Sequence, residues 1–242
     1  MDIYDNIIYL AKALRMPAFR SYAKYIDPDR PFDENLLSLL RTEYDRREDA
    51  SLKRRTRNAG FPHCKPLNTF KFPPTIPYLK KDTVLSLATC KFIEDNLNIC
   101  AIGPSGTGKT HLMIAICLEA IRKGFTVKFF RVSDMLTMME EARTEKSLGV
   151  MIKSLIKCNV LALDELGYIQ LSSKRSQLLF DVIAKRCETG SSIYITSNYE
   201  FGKWPQFLGN STLTNALVGK LTGASVILNM DGEDYRLYSK NN

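Results

Sequence analysis

The sequence predicts an α/β protein with a five-stranded parallel sheet, preceded by a small all-helical domain. Three observations carry that expectation. From about residue 82, short and nearly continuous apolar runs alternate with helical patterns. Ahead of them a stretch rich in proline interrupts all regular structure. The first part of the chain shows helical periodicity and no strand pattern.

Residues 1–59 form the expected helical domain. "IIYLAKALRM" has apolar residues at helical spacing. Pro31 and Asp33 then introduce "ENLLSLLRTEYDRREDASLKRRTRN", with Leu36, Leu37, Leu39, Leu40 and Tyr44 on one side. The far end of this helix carries Arg46, Arg47, Lys53, Arg54, Arg55 and Arg57 against Glu48 and Asp49. Two readings stand for that run: a solvated face, or contacts to the phosphates of duplex DNA. Residues 60–81 read as a linker and domain boundary, because Gly60, Pro62, Pro66, Pro73, Pro74 and Pro77 break helix and sheet alike.

Residues 82–242 form the expected sheet domain. Its buried strands are "NICAIG", "TVKFFRV", "NVLALDE", "SSIYITSN" and "ASVILNM". Helices are expected at 109–123, closed by Gly124; at 133–145, capped by Ser133; at 174–189, closed by Gly190; and at about 211–221. Such alternation implies a parallel sheet covered on both faces.

With 242 residues and 45% hydrophobic content, the chain can bury one full core plus a smaller appendage. No apolar run approaches the ~20 residues that span a bilayer. The start, "MDIYDNIIYLAKALRMP", places Asp2, Asp5 and Lys12 where a signal peptide would be basic and then apolar. A cytoplasmic location and no membrane partner follow as expectations. Cys64, Cys90, Cys100, Cys117, Cys158 and Cys187 are scattered singly, with only His63 and His111 to help them hold a metal, which argues for reduced thiols and against structural zinc. His63-Cys64 reads as a turn before Pro66. The net charge of +8 is spread over both parts of the chain and suits contact with nucleic acid.

Three segments carry chemistry. "GPSGTGKT", Gly103 to Thr110, fits the phosphate-loop pattern and falls between a strand and a helix, as that pattern requires. Gly103, Gly106 and Gly108 let successive N–H groups point inward, and the helix N-terminus adds positive charge. Lys109 is placed for the β and γ phosphates of a nucleoside triphosphate, and the Thr110 hydroxyl for Mg2+. The second segment, "NVLALDELGY", delivers Asp164 to hold Mg2+ and Glu165 to polarise an attacking water at the C-terminal end of a strand. The third, "IYITSN", ends at Asn198, a neutral group suited to the γ-phosphate or the lytic water. Thr196 and Ser197 beside it read as a strand-end turn.

With these segments in hand, the chain resembles the IstB-type helper ATPases of bacterial insertion-sequence transposition, in the DnaA/DnaC branch of the AAA+ proteins. The match runs through "YLAKALRMPAF", "KPLNTFKF", "GPSGTGKTHL", "DELGY", "ITSN" and "LTNALVGKLTGASVILNMDGEDYRLY". The resemblance implies an AAA+ P-loop core that binds ATP through Gly103, Pro104, Ser105, Gly106, Thr107, Gly108, Lys109, Thr110 and His111. It also implies an ATP-dependent oligomer on duplex DNA that presents a target to its cognate transposase. The chain departs from the family in "STLTNALVGKL", where Thr212 and Lys220 stand at arginine positions and Gly219 replaces an acid. Lys220, Arg236 or Arg175 is the expected source of a cation acting in trans; without one, hydrolysis is slow and ATP serves as an assembly switch. The alternatives are a DnaC-like helicase loader, a small-molecule P-loop kinase, and a DNA-binding scaffold that binds ATP without turnover.

Overall fold

In the computed structural model, which describes residues 2–72 and 74–235, the chain divides into one unit of Met1–Arg54 and a second of Arg55–Asn242. The first unit contains α1 (Ile3–Ala13), α2 (Pro17–Arg20) and most of α3 (Phe32–Ala59). The Asp2 carboxylate caps α1, accepting from the Ile3 N–H at 2.6 Å. Pro17 opens α2, where its missing N–H costs nothing. Asn35 fastens the loop ahead of α3: its side chain accepts from the Asp27 N–H at 2.8 Å and donates to the Asp27 and Arg30 carbonyls.

The apolar side expected on α3 is corrected. Of Leu36, Leu37, Leu39, Leu40 and Tyr44, only Leu39 is buried. The buried row is instead Asn35, Leu39 and Glu43, one helical turn apart. The strip is narrow because α1 and α2 are short and bury alanines, Ala11 and Ala18. Glu43 is satisfied inside the unit, accepting from the Ala18 N–H at 3.0 Å and from Arg47 Nε at 2.7 Å. Arg47 also donates to the Arg15 carbonyl at 3.1 Å, so this arginine is engaged within its own unit.

The division at Arg54 falls inside the continuous helix α3, ahead of the boundary expected at residue 59. The segment 60–81, expected as a linker, belongs to the second unit. Its prolines do stop helix and ladder, yet Phe70, Ile76 and Leu79 between them are buried, and the Phe61 ring packs on Phe129 at 5.8 Å.

The second unit continues with α4 (Lys81–Ala88), α5 (Lys91–Glu94), β1 (Asn98–Ile102), α6 (Lys109–Arg122), β2 (Val127–Arg131), α7 (Val132–Thr144) and α8 (Leu148–Lys157). Then follow β3 (Val160–Leu166), α9 (Ser173–Glu188), β4 (Ser192–Ser197), α10 (Pro205–Leu208), α11 (Ser211–Thr222) and β5 (Ser225–Asn229). Among the described residues the five strands form one parallel sheet in the order β2-β3-β4-β1-β5. β1, β3 and β4 bury residues on both faces, which is why they read as unbroken apolar runs. Two local expectations change. α7 starts at Val132 with no side-chain cap, leaving Ser133 within its first turn. The helix α8 is additional to the expected elements; Gly149 lies in its first turn and Ser147 ahead of it makes no side-chain cap.

Arg186 of α9 ties the second unit together and is fully buried. It donates to the carbonyls of Leu155 (2.5 Å), Cys158 (3.0 Å), Asn159 (3.2 Å) and Ser192 (2.6 Å). The cation thereby closes the C-terminal end of α8, where orphaned carbonyls favour positive charge. Arg186→Leu should therefore cost about 3 kcal/mol or more, since several buried acceptors lose their donor at once. A urea unfolding midpoint unchanged from the parent chain would contradict this.

Candidate functional site

The strand order brings the three motif-bearing strand ends together. β4 lies between β3 and β1, so "IYITSN" separates the Asp164-Glu165 end from the phosphate loop. Asp164 is buried, and its Oδ1 accepts two hydroxyl hydrogen bonds: from Thr110 at 2.9 Å, at the start of α6, and from Thr196 at 2.5 Å, on β4. Three elements are fixed on one carboxylate oxygen.

β3 carries an extra residue opposite β4, because its pairing passes from Leu163–Ile195 directly to Leu166–Ser197. The bulge throws Glu165 into a left-handed conformation (φ 61°) and leaves ladder groups without strand partners. Hydroxyls on β4 replace them. Thr196 Oγ1 accepts from the Glu165 N–H at 3.0 Å, and Ser197 Oγ donates to the Leu166 carbonyl at 2.8 Å. Glu165 consequently points its carboxylate outward, where Arg131 at the end of β2 pairs with it at 3.4 Å. Both partners are about half exposed, at 53% and 41%, so the pair is weak and easily exchanged.

The phosphate loop is shaped by close approach as much as by backbone freedom. Gly106 adopts φ 81°, and a Cβ there would meet the Asp234 carboxyl at 2.1 Å; the Tyr235 N–H donates to the Gly106 carbonyl at 3.1 Å. A Cβ on Gly103 would meet the Met230 carbonyl at 2.3 Å. The segment after β5 therefore runs against the loop. Thr107, also buried, closes the loop through its hydroxyl to the Pro104 carbonyl at 3.0 Å. Lys109 is buried, with Nζ donating to the carbonyls of Gly103 (2.7 Å) and Pro104 (2.5 Å). Burial lowers its pKa to about 8, while Asp164 opposes the shift.

Other expected residues fall as follows. Asn198 is exposed and lines a cleft of about 410 Å³ with Gly103, Pro104, Glu200 and Asp231. His111 turns to the segment before the core: its Nε2 is 3.2 Å from Thr69 Oγ1, and its ring meets Phe70 edge-on at 5.2 Å. Burial holds the His111 imidazole below its usual range. His63, in the same segment, is lowered by burial first and then by Lys65, and feels both Asp164 and Arg131. Arg175 is committed to Glu140 through Nε (3.1 Å) and Nη2 (2.6 Å). Lys220, on α11, has a loose pair with Glu188 at 3.6 Å. Arg236 lies outside the described residues. Arg46, Lys53, Arg54 and Arg57 are exposed on α3.

Sequence reasoning missed Thr196, Ser197 and Arg131. The two hydroxyl residues sat in plain view as a strand-end turn, but no pattern in β3 announced the bulge that employs them. Arg131 is one of many basic residues, and its meaning depends on β2 lying beside β3.

The donor set fits a triphosphate with a divalent cation: a glycine-shaped loop at a helix N-terminus, a buried lysine, and the Thr110 hydroxyl and Asp164 carboxylate as adjacent hard oxygen ligands. A family model of IstB-like ATP binding proteins matches residues 11–242. The ATP-binding protein of insertion sequence IS5376 from Geobacillus stearothermophilus is 35% identical over 209 residues, 86% of this chain and 82% of that protein. The corresponding protein of IS21 from Pseudomonas aeruginosa is 32% identical over 209 residues, 86% and 78% of the two chains. Among solved structures, a crystal structure of the DnaC helicase loader aligns with a TM-score of 0.58 at 22% identity, covering 68% of this chain and 96% of that one. AMPPCP-bound DnaA from Aquifex aeolicus gives 0.58 at 18% identity, covering 69% and 49%. These structures share the AAA+ P-loop fold with this chain.

Two outcomes are expected from this geometry. Thr196→Val keeps the shape but orphans the Glu165 N–H and removes a donor from Asp164, a loss of about 1–3 kcal/mol in unfolding free energy that Thr196→Ser should largely recover. Lys109, protonated below its pKa of about 8 and neutral above it, should make polyphosphate affinity fall as pH rises through that value. Binding at pH 8.5 should then take up protons, read by calorimetry in two buffers of different ionisation enthalpy; affinity that stays level from pH 7 to 9.5 would contradict the assignment.

Proposed function

The chain belongs to the family of IstB-like ATP binding proteins, and from that premise we propose that it is an ATP-hydrolysing helper of insertion-sequence transposition. In this reading it works in the cytoplasm, assembles on duplex DNA, selects or remodels the target and engages its cognate transposase. The observation that carries the ATPase reading is the Thr110–Asp164–Thr196 chain set against a buried lysine in a glycine cradle.

Backbone N–H groups of residues 105–110 would hold the triphosphate, and Lys109 would exchange the Gly103 and Pro104 carbonyls for phosphate oxygens. Thr110 and Asp164 would hold Mg2+, which when bound would offset phosphate charge. Glu165 orients and polarises the attacking water. Arg131 competes for the same carboxylate: while the pair persists, Glu165 is turned to the guanidinium, and breaking it frees the group to meet water. Asn198, exposed beside Gly103 and Pro104, is placed to contact the γ-phosphate or the water.

Self-association follows from the need for a second cation. Of the residues considered for that role within the described chain, Arg175 is locked to Glu140, whereas Lys220 has only an exposed pair at 3.6 Å to give up. Lys220 is therefore the better candidate to act in trans. A lysine keeps the charge but not the planar fork of an arginine, which points to slow turnover. Exposed Arg46, Lys53, Arg54 and Arg57 on α3 serve the DNA backbone in this reading.

Lys109→Ala and Glu165→Gln separate the roles. The first should abolish tight ATP binding; the second should leave binding intact and stop phosphate release, with or without duplex DNA. Affinity and phosphate release measured on both variants provide the test, and equal loss of binding in the two would overturn the assignment.

A further inference from the structure

A groove of about 270 Å³ opens at the start of the edge strand β2, between the last turns of α3 and α8. Arg55, Asn58, Lys128, Ser154 and Lys157 line it, and no carboxylate does. Lys128 Nζ donates to Ser154 Oγ at 2.5 Å, which fixes the ammonium group in the wall. The floor is Cys158, whose carbonyl and thiol accept from Arg186 Nη1 at 3.0 and 3.3 Å. The contacts of that fully buried guanidinium go to carbonyls and the thiol, so its charge stands behind the groove without an acidic partner among the described residues.

Both helices present their C-terminal ends here, where backbone carbonyls are negative. The attraction for an anion therefore has to come from the side chains, and Arg55, Lys128 and Lys157 at the rim supply it. The lining carries basic side chains and no carboxylate, which suits a phosphate group. Lys157 is exposed at the rim, so the groove is open to a phosphate carried on a nucleic-acid backbone.

We propose that this groove is a phosphodiester-binding site on the ATPase unit, in which Lys128 and Lys157 each face a backbone phosphate of duplex DNA and Arg55 completes the wall. The proposal rests on the DNA-binding reading given above and adds to it two lysines outside the basic run of α3.

The test uses the full chain with Lys128→Gln and Lys157→Gln combined, and duplex DNA affinity measured across a salt series. The slope of log affinity against log salt should become shallower by about 1.8, or ~0.9 for each lysine. Lys157→Gln alone, at an exposed position, should show about half the effect, and Lys128→Arg with Lys157→Arg should restore the slope. ATP affinity should stay at the parental value. A parent chain that binds duplex DNA with a steep slope, beside a double variant with the same slope, would overturn the groove and leave the DNA reading standing. A parent chain with no salt-dependent DNA binding would overturn both. If inorganic phosphate raises the melting temperature of the parent but not of the double variant, with the DNA slope unchanged, the groove is a free-anion site and the proposal fails.

Discussion

The bulge in β3 is the constraint on which the site depends. An extra residue in a central strand leaves backbone groups that cannot pair within the ladder, and buried groups of that kind are costly unless another donor or acceptor arrives. Thr196 and Ser197 supply them from the neighbouring strand. Because the Thr196 hydroxyl also donates to Asp164, one side chain both repairs the backbone and aims the carboxylate. Thr110 meets that same oxygen from the phosphate loop, so the positions of strand and loop are set together.

The bulge also explains why two adjacent acids have different environments. Asp164 stays buried and is held by hydroxyl donors, whereas Glu165 is turned outward by its left-handed backbone. Strain of this sort persists only where surrounding bonds enforce it, and those bonds are the ones just named. Outward placement lets Arg131 compete for Glu165, which gives the site a carboxylate whose availability depends on an exposed and weak pair.

Positive charge is handled in two distinct ways. Lys109 and Arg186 are buried and rest on backbone carbonyls; each gains hydrogen bonds without an opposing acid to lock it. For Arg186 the result is structural, a cation that closes a helix end against the sheet. For Lys109 it is a held but exchangeable ammonium, since two loop carbonyls are poorer partners than phosphate oxygens. The small first unit follows another rule. Its contact strip on α3 is one side chain wide and leaves Leu37, Leu40 and Tyr44 in solvent, so its order relies on the hydrogen bonds of Asn35 and Glu43 as well as on burial.

Much of this was legible in the sequence, for reasons that are local. Strands buried on both faces must be apolar throughout, so "NICAI" and "VLALDEL" declared themselves; a phosphate cradle must have glycines at fixed spacing, so "GPSGTGKT" did too. The same loop pattern puts Lys109 and Thr110 at a helix start, and the apolar run of β3 puts Asp164 and Glu165 at its end. What only the tertiary structure decided depends on which segments become neighbours. The place of β4 between β1 and β3 turned Thr196 from a turn residue into the bridge of the site, and β2 beside β3 gave Arg131 its partner. The segment 60–81 read as a linker because prolines forbid regular pairing; its buried Phe70 and Ile76 show that irregular backbone can still pack. Spacing along the chain records periodicity and motif geometry, whereas contact across the sheet is a matter of topology, which no single segment encodes.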